Sequence, residues 1–341
     1  MLNLSNNSRF IKTILMHYMR MKKIFFWVLL SLLTFTACDK NEEDDYIKDT
    51  IGEVSIENLP VMDCSTSTQP LTTILTSHLL KIPYTWWENQ FLDGIMYARL
   101  DYSKCNISEE QKALLDKKLN CSTTHGSYTN LIEGNVDLII ASRYSSRDEN
   151  ELAQQKNVKL LQKPIAKDAF AFIVNSQNVV KNLTVEQIKK IYTGEITNWK
   201  EVGGNDAPIN AYIRDANSGS QEKMETMVME GLDMIKSEAL ITHGMSGPYY
   251  QLRFDVNGIS YSPYYYYNIM AANFQNGVSA IKINGISPDN ISNGSYPFIS
   301  EIYTAIRADE PNNSLAHKIY DFLTTSNAAP IITESGYIPL K

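Results

Sequence analysis

The most informative segment of the chain is Arg214-Asp215-Ala216-Asn217-Ser218-Gly219-Ser220, which stands directly before a helix-forming run. In that run Met224, Met227 and Val228 recur on one helical face, so the Ser-Gly-Ser turn is predicted at a helix N-terminus. Free backbone N–H groups and the positive end of the helix dipole meet there, and both favour an anion. An ordinary capped surface helix fits the same pattern, so the segment taken alone leaves both interpretations open.

The residue types in this segment suit a tetrahedral oxyanion. Ser218 and Ser220 each offer a hydroxyl donor, and Gly219 allows close backbone approach. Arg214 offers a planar fork that matches two anion oxygens. Neither serine stands in a Gly-x-Ser-x-Gly context or beside a histidine in sequence. We therefore expect a binding protein rather than an enzyme.

Other segments repeat the same arrangement of strand, polar turn and helix. Val61–Cys64 is predicted as a strand that leads through Thr68 and Gln69 into a helix, and Thr124 lies in a similar turn before another helix. The apolar strand 136–141 delivers Ser142-Arg143 at its carboxyl end. Alternation of strands and helices predicts an α/β protein with mostly parallel sheets, in which such turns converge on one cleft.

The N-terminal region has the features of an export signal. Residues 1–37 combine basic residues with a short apolar core, and we suspect that translation starts at Met21. The ending before Cys38 resembles a bacterial lipoprotein signal, which implies a lipidated cysteine and a membrane anchor. The acidic residues of 38–57 predict a tether before a body that begins near Ile56. That tether fits either a surface-export signal or a plain spacer, so the leaflet stays open.

Charge and size narrow the functional class. Residues 1–37 carry five basic and no acidic residues, so their removal takes the formal charge from −7 to −12. A surface this acidic argues against nucleic acid as a partner and requires local donors at any anion site. The body is long enough for two lobes. The five scattered histidines and the cysteine spacing predict neither a metal site nor a cofactor.

Three cysteines remain once Cys38 is set aside. A Cys105–Cys121 disulfide is one interpretation, because it would close a short loop around the helical run 108–119. Cys64 fits a small buried apolar residue better. The sequence leaves the pairing open.

Several separated blocks resemble one known family, the phosphate-binding proteins of bacterial ABC transporters, within the type II periplasmic binding protein fold. The most specific block is 183–204, and the segment 214–220 follows it. Supporting matches are found at 63–70, 124–132 and 336–340. The resemblance covers most of residues 58–341.

The resemblance implies two lobes that close on an anion, with chain crossings near 160–172 and 297–306. Lobe 1 would comprise 58–165 plus 298–341, and lobe 2 would comprise 166–297. It implies a monomer that delivers phosphate or a related oxyanion to the permease and ATPase subunits of a transporter. Trp199 and the turn 193–195 are expected to be structural. The family's ligand positions fall on Thr68, Gln69, Thr124, Ser142, Arg214, Ser218, Gly219 and Ser220.

One departure from the family concerns specificity. Well-characterised members place an aspartate, which accepts the proton of hydrogen phosphate, in the loop where this chain has Ser142-Arg143. Without that carboxylate the rejection of sulfate is in doubt. Arg143 would either reach the anion as a second cation or point away from it. A surface or sensory lipoprotein without a transport role is the alternative function.

Overall fold

A computed structural model describes residues 47–89 and 94–340 of the 341-residue chain. The strands are β1 (Met62–Cys64), β2 (Tyr84–Asn89), β3 (Ile95–Leu100), β4 (Leu138–Ala141), β5 (Leu160–Asn175), β6 (Asn182–Leu183), β7 (Asn210–Ala211), β8 (Ile213–Arg214), β9 (Ile241–Thr242), β10 (Gly258–Pro263), β11 (Val278–Ala280), β12 (Lys282–Ile283), β13 (Ile299–Arg307) and β14 (Ile338–Pro339). The α-helices are α1 (Gln69–Leu80), α2 (Glu109–Lys118), α3 (Thr123–Glu133), α4 (Arg147–Gln155), α5 (Val185–Thr193), α6 (Gly219–Lys223), α7 (Gly247–Phe254), α8 (Leu315–Leu323) and α9 (Ala329–Glu334).

The long strand β5 belongs to both halves of the main sheet. Its first half pairs with β13 from Leu160 to Ala169, and its second half pairs with β10 and β11 from Phe170 to Asn175. Beyond these central strands, β4 and β1 extend one side, and β7 extends the other. The segments 160–172 and 297–306 fall on β5 and β13, and their role as crossings between lobes stays a prediction.

The α/β class is confirmed, and the strand directions are mixed. The pairs β1–β4 and β7–β10 are parallel, as helix-linked strands should be. All pairs made by β5 and β13 are antiparallel. Within the main sheet, parallel pairing is therefore confined to the flanks, and the small pairs β6–β12 and β8–β9 outside it are also parallel.

Buried apolar side chains cluster on both sides of the β5–β13 pair. One cluster draws its members from 169–298 and includes the aromatic contacts of Phe170, Phe172, Tyr192 and Tyr261. A smaller cluster packs α3 against β4 and β13. This division supports the predicted lobes, whose boundaries stay a prediction.

The block 183–204 builds part of the larger cluster. Thr184 closes a capping box at the start of α5, and Gly194 ends that helix with a left-handed φ of 83°. Trp199 is buried, and its indole N–H donates to the Asn257 carbonyl at 2.9 Å. The structural role expected for Trp199 is consistent with these contacts.

The compact unit begins at Thr50, earlier than the start expected near Ile56. Ile51 is buried, so an apolar side chain fixes part of the predicted tether to the body. The predicted signal at 1–37 and the lipidation site at Cys38 lie outside the described residues. No helix of the described ranges is long and apolar enough to cross a membrane.

Candidate functional site

Polar turns from several elements line a cavity of about 280 Å³. They are the segment after β1, the start of α3, the end of β4 and the β8–α6 loop. This is the convergence that the sequence predicted. The residues that line it include Ser65, Thr124, Ser142, Arg214, Ser218, Gly219, Ser220 and Met245.

Arg214 is a buried cation at this cavity. It is 3% exposed, and its Nε donates to the Thr242 carbonyl at 3.2 Å, while Nη1 faces the Met245 sulfur at 3.7 Å. Within the described ranges, the guanidinium forms no salt bridge with a carboxylate. Burial lowers the pKa of Arg214 below its usual value, but an arginine stays charged at neutral pH. A charge buried in this way requires an anionic partner.

Two residues that the sequence did not single out fix the backbone of Arg214. Its N–H donates to Gln221 Oε1 at 3.0 Å and to the Tyr261 hydroxyl at 3.2 Å. Tyr261 in turn donates to Gln221 Oε1. Gln221 directly follows the segment 214–220, whereas Tyr261 lies 47 positions after Arg214, so only the tertiary structure could identify Tyr261.

Three buried hydroxyls form a compact set opposite the arginine loop. Ser65 Oγ donates to Thr124 Oγ1 at 2.8 Å, and Thr124 Oγ1 lies 3.0 Å from Ser142 Oγ. The Ser142 N–H donates to Ser65 Oγ at 2.9 Å. Hydroxyl protons rotate to suit their partners, so these groups can turn their donors towards an anion. Thr124 and Ser142 were predicted, whereas Ser65 was not.

The start of α6 carries the remaining donors. Ser218 is the N-cap and accepts from the Gln221 N–H at 3.1 Å, as the plain capping interpretation predicts. Ser220 is buried with its hydroxyl 3.8 Å from the Met245 sulfur. The helix continues as a π-helix over Met224–Met229. At the start of α6, the N–H groups of Gly219 and Ser220 have no acceptor one helical turn earlier. The turn thus presents hydroxyl and backbone donors at the positive end of a helix.

Gly219 permits close packing across the cleft. A Cβ atom there would lie 2.5 Å from Thr124 Oγ1 and 3.1 Å from Ser142 Oγ. Both distances are shorter than ordinary contacts. A side chain at Gly219 would therefore push α6 away from the hydroxyl set.

Thr68 and Gln69 do not reach the cavity, contrary to the expectation. Thr68 Oγ1 donates to the Ile140 carbonyl at 2.6 Å, and Gln69 Nε2 donates to the Ala98 carbonyl at 2.7 Å. Thr68 ends a 3-10 turn that rotates its side chain into the core. The cavity is lined instead by the three preceding residues, Ser65, Thr66 and Ser67.

Arg143 points away from the predicted anion site. Its Nη1 and Nη2 donate to Glu149 Oε2 and Oε1, both at 2.8 Å, and both side chains are buried. Burial opposes the charged form, but the hydrogen bonds and charge of Glu149 raise the pKa of Arg143. Of the two interpretations left open, these contacts favour the one in which Arg143 turns away, with a buried partner rather than a surface one.

Arg143 lines a second cavity, of about 440 Å³, together with Lys223 and Ser300. Lys223 Nζ donates to Ser300 Oγ at 3.0 Å, and burial lowers the pKa of this lysine to about 8. Lys223 belongs to α6 and Ser300 to β13, so this contact joins the helix of the candidate site to a central strand. No group of three or more metal-binding side chains is found in the part of the chain that the structure describes.

Known proteins share this fold and parts of this sequence. A family model described as a PBP superfamily domain matches residues 115–327. The phosphate-binding protein PstS of Bacillus subtilis is 30% identical over 185 residues, which cover 53% of this chain and 58% of that protein. The phosphate-binding protein PstS of Borreliella burgdorferi is 24% identical over 250 residues, covering 71% of this chain and 84% of that protein.

A solved structure from Clostridium perfringens, described as a phosphate ABC transporter substrate-binding protein with bound phosphate, is also similar. The identity is 26% and the TM-score 0.54, with 82% of this chain and 98% of that chain covered. An ABC-type phosphate transport receptor from Vibrio cholerae has the same TM-score at 24% identity, with 81% and 98% covered. These likenesses confirm the type II binding protein fold. The chain therefore belongs to the PBP superfamily.

Proposed function

We propose that the protein is an extracytoplasmic binding protein that captures inorganic phosphate, or a similar tetrahedral oxyanion, for an ABC transporter. The observation that carries this proposal is the buried Arg214 guanidinium, which faces a cavity rich in donors and has no carboxylate partner among the described residues. The relatives named as phosphate-binding proteins support the same ligand class.

The donor set is sufficient for useful affinity. Charge-assisted hydrogen bonds contribute about 1.5–3 kcal/mol each, before the cost of dehydrating the anion. Micromolar binding requires only about 8 kcal/mol net. Arg214, the hydroxyls of Ser65, Thr124 and Ser142, and the first turn of α6 together supply enough donors for this.

We propose a binding role rather than catalysis. The hydroxyls at the cavity contact one another, a backbone N–H or a sulfur. In the described ranges none of them bonds to a histidine, as an activated nucleophile would. Turnover of a chromogenic phosphate ester by the purified protein would contradict this part of the proposal.

The proposal extends to delivery and anchoring. Lipidation at Cys38 would tether a monomer to the membrane, where it would pass its anion to permease and ATPase subunits. The alternative is a surface or sensory lipoprotein that binds without transport. Deleting the gene should reduce phosphate uptake by phosphate-starved cells in the first case and leave uptake unchanged in the second.

The direct test is calorimetric titration of phosphate, and then sulfate, into the chain that starts at Asp39. The protein is first unfolded and refolded to remove any anion carried through purification. We expect phosphate to bind at micromolar concentration or tighter. Binding of both anions would indicate a general oxyanion receptor, and binding of neither would overturn the proposed function.

Gly219→Ala is expected to weaken phosphate binding by roughly five- to 150-fold, because overpacking costs about 1–3 kcal/mol. The added methyl would meet Thr124 and Ser142 across the cleft. Gly247→Ala is the matched control, since its Cβ would lie 3.4 Å from the Thr242 atoms, an ordinary contact. Calorimetry on both variants checks the prediction, and equal affinities would show that the cleft does not close tightly at Gly219.

Ser142→Asp is expected to restore discrimination against sulfate. Hydrogen phosphate can donate its proton to the new carboxylate, whereas sulfate would face it with two unpaired acceptors, at a cost of about tenfold or more in affinity. Ser142→Asn adds similar bulk without charge and separates the steric effect. Equal loss of both anions in Ser142→Asp would mean that Ser142 does not face the oxygen that carries the proton.

A further inference from the structure

Cys64 and Cys121 stand on neighbouring backbone segments beside the candidate site. Cys64 ends β1 and is buried, and its Sγ donates to the Asn120 carbonyl at 3.4 Å. The neighbouring Cys121 thiol, together with burial, raises the pKa of Cys64. Cys121 is exposed, so one member of the pair is open to reagents in solution.

The backbone brings these cysteines together independently of their thiols. Met62 and Leu119 form a parallel bridge, and the Asn120 N–H donates to the Met62 carbonyl at 2.8 Å. Two residues further along each segment stand Cys64 and Cys121, and side chains two positions apart share a face in extended chains. Adjacent strands are about 4.8 Å apart, which lies within the range of Cα separations that disulfides span.

Asp63 fastens the same two segments. Its Oδ1 accepts from the Ser122 N–H at 2.9 Å, and its Oδ2 accepts from Asn130 Nδ2 at 2.8 Å. Asn120 and Ser122, the residues on either side of Cys121, are therefore both held against β1, by Met62 and Asp63 respectively. A bond between the two sulfurs thus requires no large backbone movement.

We propose that Cys64 and Cys121 form a disulfide bond in the mature protein, with Cys105 left as a free thiol. The proposal rests on the extracytoplasmic location in the proposed function, since disulfides persist in oxidising compartments. It replaces the Cys105–Cys121 pairing that the sequence allowed. The ten-residue helix α2 separates those two positions, and Cys105 instead contacts the Asp101 carbonyl at 3.8 Å.

The bond forms by exchange with a disulfide-bearing oxidant, such as a thiol oxidoreductase of the compartment or glutathione disulfide. The exposed Cys121 thiolate attacks the oxidant disulfide, forms a mixed disulfide and releases one oxidant thiol. Cys64 then loses its proton and attacks Cys121 Sγ, which releases the second oxidant thiol. The two protein thiols are oxidised by two electrons in total, and the oxidant disulfide is reduced to two thiols.

The bond would stabilise the hydroxyl set at the cavity. Cys64 immediately precedes Ser65, and Cys121 lies three positions before Thr124. The hydroxyls of Ser65 and Thr124 are hydrogen-bonded to each other. The disulfide would join the end of β1 to the segment that enters α3. We expect reduction to lower the melting temperature by about 3 to 7 °C, because the cross-link restricts the unfolded chain.

The test uses the full chain exported to the periplasm of a bacterial host and then exposed to glutathione disulfide. Free thiols are alkylated in denaturant without reductant, and peptides are mapped by mass spectrometry. The expected result is a linked pair of peptides that contain Cys64 and Cys121, with Cys105 alkylated. Alkylation of both Cys64 and Cys121, or a Cys105–Cys121 link, would overturn the proposal.

A second measurement compares melting temperatures with and without dithiothreitol. The wild-type protein and Cys105→Ser should lose stability on reduction, whereas Cys121→Ser should show no such change. Loss of stability on reduction in Cys121→Ser as well would contradict the assignment. None of these readouts uses phosphate, so a failed phosphate titration and a failed disulfide assignment are distinguished from each other.

Discussion

Replacing Arg214 with methionine is expected to weaken phosphate binding by roughly thirtyfold or more, which corresponds to a loss of about 2–5 kcal/mol. Methionine keeps most of the apolar stem and removes the charge and the planar fork. The bound dianion would then lie in a buried cavity without its principal cation, and the hydroxyls alone cannot replace that charge.

The stability of the ligand-free protein gives a second readout. Arg214 is 3% exposed and has no carboxylate partner in the described ranges, so its charge destabilises the folded state without ligand. Arg214→Met should therefore unfold at the same denaturant concentration as the wild type, or at a higher one, when phosphate is absent. Phosphate at one hundred times its dissociation constant should stabilise the wild type by about 2.7 kcal/mol and the variant much less.

Arg147→Met is the matched control for Arg214→Met. The Arg147 side chain is 87% exposed and pairs with Glu151 on the surface of α4. Such exposed pairs contribute about 1 kcal/mol or less. If calorimetry showed the same phosphate affinity for Arg214→Met and Arg147→Met, the assignment of Arg214 as the principal ligand cation would be wrong.

The two arginines illustrate what the sequence can and cannot predict about the site. Arg214 precedes a Ser-Gly-Ser turn and a helix-forming run, and a helix N-terminus is a local feature that sequence patterns indicate well. The direction of the Arg143 side chain depends on Glu149, which is buried by the packing of α4. The sequence does contain a signal, because Ser146 and Glu149 have the spacing of a capping box, which the structure confirms. A capping box fixes the helix start, and only the tertiary structure shows which arginine its carboxylate also binds.

The segment after β1 shows a different limit. Serine and threonine alternate from Ser65 to Thr68, so any of them could supply hydroxyls to a cleft. The 3-10 turn over Thr66–Thr68 sets which side chains face the cavity and which face the core. A shift of the turn by one residue would change which hydroxyls face the cavity. A sequence made of serine and threonine has no apolar pattern that would fix this position.

The fold was predictable to the extent that strands and helices alternate along the chain. The apolar run in the second half of β5 identifies a buried strand, but the directions of its neighbours are not encoded in that run. β5 pairs with β10 and β13, whose partner residues lie 85 to 93 and 130 to 147 positions later, respectively. Contacts of that separation come from the overall topology, which local periodicity does not define.

Glu149→Gln is expected to lower the free energy of unfolding by about 3–5 kcal/mol while leaving phosphate affinity within about threefold of the wild type. Both carboxylate oxygens of Glu149 accept from Arg143, and Oε1 also contacts His125 Nδ1 at 3.1 Å. Glutamine retains one acceptor and turns an NH₂ group towards donors. The variant would therefore leave Arg143 buried with one acceptor fewer and with no counter-ion.

Denaturant unfolding and calorimetry together decide between two roles for Arg143. If this arginine only joins the β4–α4 loop to α4, the loss should be confined to stability. If Arg143 contacted the anion, release from Glu149 would change phosphate affinity by tenfold or more, because a second cation would become available to the ligand. Glu151→Gln is the control, since Glu151 is half-exposed on the same helix and its ion pair with Arg147 is a surface one. A large change in affinity with unchanged stability in Glu149→Gln would return Arg143 to the set of ligand residues.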